Sequence, residues 1–200
     1  MTERERLIKR LDNELIFAVI EPGSRVLDLG CGEGDLLERL INEKDVRGQG
    51  IEIDREKVPR CVEKGVSVIH GDFYRELADY PSNRFDYVIL NESLQETRAV
   101  TLLLDEALRV GRRVIVGFPN FAHIRMRFEL FFLGRAPRTS TLPHHWHDSP
   151  NLRFMSVSDF SEYCRARLIR IEATHFFDNR RRVRVWPNLR ATRAIFVLHR

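Results

Sequence analysis

A glycine-rich stretch with acids beside it carries the clearest chemistry in this sequence: VLDLGCGEGDLL, residues 26–37. An apolar run typical of a buried strand comes first, and Gly30, Gly32 and Gly34 follow at alternate positions. Glycines in such a turn allow left-handed backbone and let a ligand approach the main chain closely. The stretch therefore predicts a ligand-binding turn between a strand and a helix.

The acids of this turn discriminate between ligands. A dinucleotide fold uses G-x-G-x-x-G, whereas here the third glycine comes one residue early, and no G-K-[ST] follows to make a P-loop. Asp28, Glu33 and Asp35 would repel a pyrophosphate, and each like-charge contact in a partly buried site costs on the order of a few kcal/mol. S-adenosylmethionine carries an ammonium group and a sulfonium and no phosphate, so it suits these acids.

Two further acids stand at the ends of later predicted strands. Glu52, in GIEID, comes 24 residues after Asp28, where an acid at a strand tip can accept both ribose hydroxyls. Asp72, in HGDF, stands where a side-chain acceptor can meet an adenine amino group. Each could instead have a local role, Glu52 as a helix-capping acid and Asp72 as a turn residue. The glycine turn and both acids, in order after three successive strands, favour S-adenosylmethionine.

The stretches VLDLGCGEG, GIEID, HGDF and FDYVIL resemble the motif series of class I S-adenosylmethionine-dependent methyltransferases over about residues 20–120. This resemblance implies a mostly parallel seven-stranded sheet with a C-terminal antiparallel hairpin. It also implies that Asp28, Gly30 and Gly32 hold the methionine end of the ligand and that Glu52 holds the ribose. Asp72 would meet the adenine region, and Asn91 would face the methyl group. The neighbours expected to complete this S-adenosylmethionine or S-adenosylhomocysteine site are Cys31, Ile53, Gly71 and Phe73.

A narrower resemblance extends over about residues 20–175. The stretches VRGQGIEID, FDYVILNESLQETR, RVGRRVIVGFPNFAHIRMRFEL and LPHHWHDSPN are similar to the MetW family of bacterial methionine biosynthesis proteins. GFPNF and W-x-D-S/T-P-N are its more specific parts. The resemblance implies a role as a partner of homoserine O-acetyltransferase. His144, His145 and His147 depart from the family pattern, and the arginine-rich stretch RRRVRVWPNLR matches no motif.

The sequence assigns no catalytic residue. Methyl transfer from a sulfonium is an in-line displacement that depends on positioning, and a base is needed only when the acceptor must lose a proton. NESLQETR offers Glu92 or Gln95 to an acceptor, without the N-P-P-Y signature of amino-group methyltransferases. An active small-molecule methyltransferase is therefore the alternative function.

HHWHD, residues 144–148, is a second candidate for chemistry. It could contact an acceptor or a partner, or it could be a plain exposed loop. Three histidines and an acid within five residues could bind a metal ion, but adjacent histidines converge poorly on one ion and the spacing is not that of a structural zinc site. We expect no metal.

Short apolar runs alternating with helical stretches must position these residues. RVLDLG, RGQGIEID, VSVIH, FDYVIL and RRVIVGFP predict five strands of a doubly wound, Rossmann-like α/β sheet. LIRIEATHFF and ATRAIFVLH predict two late strands, which suit an antiparallel hairpin at one edge. Together they predict a seven-stranded sheet.

One domain, residues 1–200, accommodates this sheet. Residues 120–165 are predicted to be an excursion of helix, loop and helix before the last two strands. FAHIRMRFELFFLG predicts a helix whose aromatic residues pack in the core. SVSDFSEYCRAR predicts a second helix, capped by Ser156 or Ser158.

Charge is distributed unevenly along the chain. The first hundred residues carry 15 Lys+Arg against 21 Asp+Glu, and the second hundred carry 18 against 8. A basic half can favour nucleic acid, but these arginines are spread over several segments with only one tight run, residues 180–182. We therefore expect a solvated basic face and no nucleic-acid partner.

Cysteine usage and hydropathy indicate the compartment. Cys31, Cys61 and Cys164 lie far apart with no C-x-x-C, so they predict neither a disulfide framework nor a zinc ribbon. The N-terminal stretch MTERERLIKR is charged, and no apolar run approaches the roughly 20 residues that span a bilayer. We expect a cytoplasmic protein without membrane contact.

Overall fold

The described residues form one mixed sheet of eight strands. The computed structural model describes residues 3–139, 145–149, 151–178 and 181–200. The strands are β1 Arg25–Leu29, β2 Arg47–Glu52, β3 Ser67–His70, β4 Phe85–Asn91, β5 Gly111–Pro119, β6 Arg170–Asp178, β7 Arg181–Arg182 and β8 Arg193–His199. Their order in the sheet is β3-β2-β1-β4-β5-β8-β6-β7.

Strand direction divides the sheet into two parts. β3, β2, β1, β4 and β5 are mutually parallel. β8 then runs antiparallel to both β5 and β6, between which it lies. The predicted doubly wound α/β sheet with a C-terminal antiparallel hairpin is thus confirmed.

The predicted strand count of seven is wrong, because β7 is an eighth strand. β7 pairs with the end of β6, Arg182 opposite Phe177 and Arg181 opposite Asp178. Both residues of β7 are exposed arginines. Since two polar residues cannot show the apolar alternation by which a half-buried strand is identified, the sequence pattern does not reveal this strand.

Helices cover both faces of the sheet. The helices are α1 Glu3–Val19, α2 Asp35–Lys44, α3 Val58–Glu63, α4 Phe73–Glu76, α5 Val100–Val110, α6 Ile124–Leu133, α7 Val157–Ala166 and α8 Pro187–Arg190. Two 3₁₀ helices, Leu77–Asp79 and Leu94–Glu96, lie before and after β4. The sequence analysis did not predict α1.

Two hydrophobic layers pack on opposite faces of the sheet. Alternate residues of a strand point to opposite faces, so in β1 Leu27 belongs to one layer and Val26 to the other. The first layer includes apolar residues of α5 and α7. The second includes Ile16 of α1 and Leu37 of α2. β1 is therefore buried on both faces, as the uninterrupted apolar run predicts.

Parallel pairing brings the predicted site to one edge of the sheet. β1 lies between β2 and β4, with Asp28 level with Gly50 of β2 and Ile89 of β4. The carboxyl ends of these three strands consequently meet at the same edge, and the turn after β1, Glu52 and Asn91 all lie there. In doubly wound sheets this edge binds ligands.

A helical excursion connects β5 to β6. It contains α6 and α7, and α7 begins with a capping box in which Ser156 Oγ accepts the Asp159 N–H and the Asp159 carboxylate accepts the Ser156 N–H. Ser156 is thus the N-cap, and Ser158 lies inside the helix. Before α7, the Phe121 and Phe154 rings contact each other with centroids 4.8 Å apart.

The prediction that the aromatic residues of α6 pack in the core is wrong. Met126 is the buried residue of this helix, whereas Phe128, Phe131 and Phe132 are 55, 82 and 64% exposed. The sequence IRMRFELFFL carries apolar residues on every side. Because a helix on the surface contacts the sheet with one face only, most of these side chains remain outside the core.

Candidate functional site

The turn after β1 is shaped by glycines in left-handed backbone. Gly30, Gly32 and Gly34 have φ of 81°, 62° and 78°, values that cost side-chain-bearing residues energy. A Cβ on Gly30 would lie 3.0 Å from Ser93 Oγ. The Gly30 N–H donates to the Ile51 carbonyl at 2.8 Å. The turn is therefore fixed to β2 and passes close to the segment after β4.

Glu52 joins this turn to the tip of β2. Its Oε2 accepts the Gly32 N–H at 2.7 Å, and its Oε1 accepts the Asp54 N–H at 2.9 Å. The residue is almost fully buried. Each carboxylate oxygen has two lone pairs, so one further hydrogen bond per oxygen is possible. The carboxylate thus holds the turn and keeps acceptor capacity for a ligand.

Asp72 has a local role, but as a helix cap and not as the turn residue that the sequence left open. It is the N-cap of α4, where its Oδ1 accepts the Tyr74 N–H at 3.0 Å. Phe73 and Tyr74 follow it, with ring centroids 5.1 Å apart. The cap fixes the side-chain orientation of Asp72 and places the two aromatic residues beside it.

Asn91 ends β4 opposite Gly117 of β5. A Cβ on Gly117 would collide with the Asn91 amide oxygen, so the glycine makes room for the amide. Within the described part of the chain, this buried Oδ1 has no hydrogen-bond partner. Asn91 is therefore held by packing.

These elements enclose a cavity of about 540 Å³. Its volume lies in the range of small-molecule sites. The lining residues are Asn13, Asp28, Gly30, Cys31, Gly32, Asp35, Leu36, Glu52, Ile53, Lys57, Asp72, Phe73, Tyr74, Asn91, Glu92, Ser93, Glu96, Thr97 and Arg98.

The structure brings nine of the ten predicted site residues into this cavity. They are Asp28, Gly30, Cys31, Gly32, Glu52, Ile53, Asp72, Phe73 and Asn91. Gly71 is not part of the lining. Its N–H donates to the Glu52 carbonyl at 3.1 Å, and a Cβ there would lie 2.6 Å from Glu76 Oε1. Gly71 therefore supports the site through packing.

The lining of the cavity is acidic. It contains six carboxylates, from Asp28, Asp35, Glu52, Asp72, Glu92 and Glu96, against the cations of Lys57 and Arg98. Glu33, which the sequence grouped with these acids, lies outside the lining, and its carboxylate is 3.6 Å from Arg60. Asp35 lines the cavity but pairs with Lys64. The excess of negative charge favours a cationic ligand over a pyrophosphate.

A buried ion network supports the far end of the cavity. Arg193 Nη2 lies 2.7 Å from Glu92 Oε1, and Arg193 Nε donates to Asp12 Oδ1 at 2.8 Å. Burial raises the pKa of Asp12 to about 6, although the Arg193 charge opposes this shift. Glu92 has a φ of 61°. The network joins α1, β8 and the residue after β4.

The sequence analysis missed several lining residues. Lys57 and Tyr74 each follow a predicted motif by a few positions, and Glu96, Thr97 and Arg98 belong to the quoted stretch NESLQETR. Those residues could have been found by extending each motif by about one helical turn. Asn13 comes from α1, which carries no recognisable motif.

Two side chains are unsuited to direct chemistry. Burial, with the Asp28 charge beside it, raises the pKa of the Cys31 thiol above its usual value. The thiol stays protonated and is a poor nucleophile. Gln95, a possible acceptor contact by sequence, is buried and does not line the cavity. Its backbone carbonyl accepts the N–H groups of Leu152 and Arg153 at 2.8 and 3.0 Å.

The HHWHD loop is only partly described. His144 and Arg180 of the arginine run lie outside the described residues. His145, Trp146, His147 and Asp148 are exposed. Over the described ranges, no three His, Cys, Asp or Glu residues form a group able to hold a metal ion. In the same ranges no helix combines the length and apolar character needed to cross a bilayer.

Comparison with known proteins finds a family match over nearly the whole chain. The model of the family described as "Methionine biosynthesis protein MetW" matches residues 10–198. A "Bifunctional methionine biosynthesis protein MetXA/MetW" from Rhodopirellula baltica is 35% identical over 203 residues, which cover 95% of this chain and 33% of that protein. The chain spans about a third of the length of the curated relatives it matches.

Solved structures match the fold at low identity. An S-adenosylmethionine-dependent methyltransferase from Archaeoglobus fulgidus is 15% identical with a TM-score of 0.70, over 99% of this chain and 95% of that one. The [4+2]-cyclase SpnF is 18% identical with a TM-score of 0.64, over 98% and 81% of the two chains. One fold therefore occurs in proteins named for different reactions.

Proposed function

The chain belongs to the MetW family of methionine biosynthesis proteins, and from this premise we propose that it binds S-adenosylmethionine and acts as a partner of homoserine O-acetyltransferase. The proposal has two parts, a ligand and a partner. Each has its own support and its own test.

The acidic cavity at the carboxyl ends of β1, β2 and β4 is the observation that carries the ligand proposal. Its glycine turn lets a ligand approach the main chain. Its acidic lining, in which Asp35 and Glu92 are paired with Lys64 and Arg193, suits a ligand with an ammonium and a sulfonium. Asn91 lines the cavity at the end of β4, with its amide oxygen buried against Gly117. S-adenosylmethionine fits this donor and acceptor set, whereas a dinucleotide would meet carboxylates at its phosphates.

Each part of the site has a proposed task. Asp28, with the turn at Gly30 and Gly32, holds the methionine end, and Glu52 accepts the ribose hydroxyls while it anchors the turn. Asp72, oriented by its cap, meets the adenine region, where Ile53 and Phe73 supply apolar contact. When bound, S-adenosylmethionine supplies an electrophilic methyl group. Asn91 holds that end of the ligand in place.

The ligand proposal is tested by calorimetric titration of the full chain with S-adenosylmethionine, S-adenosylhomocysteine and NAD⁺. We expect saturable binding of the first two and none of NAD⁺, because only NAD⁺ carries a pyrophosphate. Tight NAD⁺ binding, or no binding of S-adenosylmethionine, would contradict the assignment.

The partner proposal draws on a natural fusion. The Rhodopirellula baltica relative carries the names MetXA and MetW in one polypeptide, and such a covalent link suits two units that work as partners. S-adenosylmethionine is a downstream product of methionine. We propose that this chain binds that product and changes homoserine activation accordingly, which requires ligand affinity to differ between its free and partner-bound states.

This coupling is tested by measuring S-adenosylmethionine affinity with and without saturating homoserine O-acetyltransferase. Linkage is reciprocal, so the acetyltransferase affinity must change by the same factor when the ligand is added. Equal affinities in both measurements would rule out sensing while leaving ligand binding intact.

An active small-molecule methyltransferase is the second candidate function. The favouring observation is that Glu92, Thr97 and Arg98 line the same cavity as Asn91, so polar side chains are available to an acceptor there. Incubation with labelled S-adenosylmethionine and a cell extract tests it. A labelled product together with S-adenosylhomocysteine would support an enzyme, and recovery of intact ligand would favour a sensor.

The proposed site of action is the cytoplasm. Cys31, Cys61 and Cys164 are buried and unpaired. Such thiols persist in a reducing compartment.

A further inference from the structure

Helix α6 leaves an apolar surface uncovered. We call it the α6 surface, and it consists of Ile124, Phe128, Leu130, Phe131, Phe132 and Leu133, all of which are more than half exposed. The Phe132 ring lies 4.5 Å from that of Phe128 and 4.9 Å from that of Phe131, measured between centroids. The aromatic rings therefore form one continuous cluster.

The size of the α6 surface is that of a binding site. At 55 to 82% exposure, the three phenylalanines alone present on the order of 400 Å² of ring and backbone surface. The largest apolar patch on a typical monomeric protein measures about 300–600 Å² and is often functional. Each partner in a standard protein interface contributes about 800 Å². The phenylalanines thus supply about half of one side of such an interface.

Charges around the α6 surface disfavour a second copy of this chain as the occupant. Residues 124–138 contain four exposed arginines and one acid, Glu129. In a symmetric dimer the same patch faces itself, so the arginines of the two copies would lie close together. A different partner with acidic residues around an apolar centre matches both features.

Backbone hydrogen bonds connect this part of the molecule to the cavity. The Phe121 N–H, just before α6, donates to the Met155 carbonyl at 2.9 Å. The segment that returns from the excursion donates from Leu152 and Arg153 to the Gln95 carbonyl. Arg153 Nη2 also donates to the Arg98 carbonyl at 3.1 Å. Arg98 lines the cavity. Two hydrogen bonds, from Phe121 to Met155 and from Arg153 to Arg98, therefore link the start of the excursion to the cavity lining.

We propose that the α6 surface is the docking site for homoserine O-acetyltransferase, and that docking acts on the cavity rim through Leu152, Arg153 and Gln95. The inference rests on the proposed partnership, and the natural fusion of MetXA with MetW supports this occupant. Exposed aromatic clusters of this kind supply the central contacts of protein interfaces. The acetyltransferase would present acidic residues around an apolar recess.

The test is calorimetric titration of the full chain with the homoserine O-acetyltransferase of the same organism. The double variant Phe131→Ser, Phe132→Ser removes the centre of the α6 surface. Leu168→Ser is the matched control, because Leu168 is 87% exposed and precedes the start of β6, which is level with the start of β5, whereas α6 follows the end of β5. We expect at least tenfold weaker acetyltransferase binding by the double variant and less than a twofold change in the control.

Two further measurements separate the possible failures. S-adenosylmethionine binding by each variant alone should stay within twofold of the parent, which shows that the cavity is folded. Parent-like acetyltransferase binding by the double variant would overturn the docking site and leave the partnership standing. No acetyltransferase binding by the parent would overturn the partnership itself. A parent dimer that the double variant abolishes, with acetyltransferase binding unchanged, would assign the surface to a second copy.

Discussion

Glu52 accepts the backbone N–H of Gly32 at 2.7 Å, so the tip of β2 and the glycine turn after β1 form one structural unit. The carboxylate proposed to meet the ribose also fixes the turn proposed to meet the methionine end. A change at Glu52 should therefore affect both ends of the ligand.

Substitutions at Glu52 separate these two roles. Glu52→Gln keeps a side-chain acceptor for the Gly32 N–H and loses the charge, whereas Glu52→Ala loses both. Since a hydrogen bond to a charged group contributes about 1.5–3 kcal/mol, we expect Glu52→Ala to weaken S-adenosylmethionine binding by about tenfold or more and Glu52→Gln by less. Calorimetry measures both, with thermal unfolding as the check on folding. Equal, parent-like affinities would mean that Glu52 does not contact the ligand.

The charge of the cavity is tested with two acids of the same stretch, Asp28 in β1 and Glu33 in the turn after it. Asp28 is buried in the lining, whereas Glu33 lies outside it beside Arg60. Asp28→Asn should weaken S-adenosylmethionine binding by about tenfold, because it removes a buried negative charge whose attraction for the cationic ligand is weakly screened by water. Glu33→Gln removes the same charge five residues later and should leave the affinity unchanged. Equal losses of affinity in the two variants would show that the ligand responds to the total negative charge of this region and not to a contact with Asp28.

The glycine turn allows a similar comparison. Gly30 and Gly23 both have left-handed backbone, with φ of 81° and 74°. A Cβ at Gly30 would lie 3.0 Å from Ser93 Oγ, whereas one at Gly23 has no heavy atom within 4 Å. Alanine at either position should cost about 1–2 kcal/mol of unfolding free energy from backbone strain.

Only Gly30→Ala should also weaken S-adenosylmethionine binding, since Gly23 lies outside the cavity. Chemical denaturation and calorimetry give the two quantities separately. If Gly30→Ala binds the ligand like the parent, the turn does not contact it.

Local motifs explain why so much of the cavity could be predicted from the sequence. Asp28, Glu52 and Asn91 each stand at the end of an apolar strand, and parallel pairing of β2, β1 and β4 brings such ends together. The strand, the turn and the acid are neighbours in sequence, so their spacing along the chain is enough to predict their arrangement in space. The same holds for the Ser156 cap of α7.

Contacts between segments that are far apart in sequence cannot be predicted in this way. Arg193 and Asp12 are 181 residues apart, and neither belongs to a motif, so their pairing behind Glu92 appears only in the structure. The direction of a side chain is hidden in the same way, because Asp28 and Glu33 are close in sequence and only Asp28 lines the cavity. For α6, composition alone could not separate a core helix from an exposed one, because its apolar residues lie on all sides.

The buried pair of Asp12 and Arg193 predicts a specific dependence of stability on pH. Burial raises the pKa of Asp12 from 3.8 to about 6, so the folded state binds this proton more tightly than the unfolded chain. Protonation of Asp12 makes its full contribution to the unfolding free energy below about pH 4, and this contribution is lost as the pH rises through about 6. Relative to Asp12→Asn, the parent should lose on the order of 2–3 kcal/mol of unfolding free energy between pH 4 and 7.

Urea denaturation of the parent and of Asp12→Asn at several pH values measures this difference. Asp86 and Glu106, whose pKa values are lowered mainly by hydrogen bonds from Arg25 and Arg109, act in the opposite direction. They are present in both proteins, so their effect cancels in the comparison. A difference in unfolding free energy that stays constant from pH 4 to 7 would show that Asp12 keeps an ordinary pKa. In that case Arg193 would fully compensate the burial of Asp12, and the network behind Glu92 would be insensitive to pH.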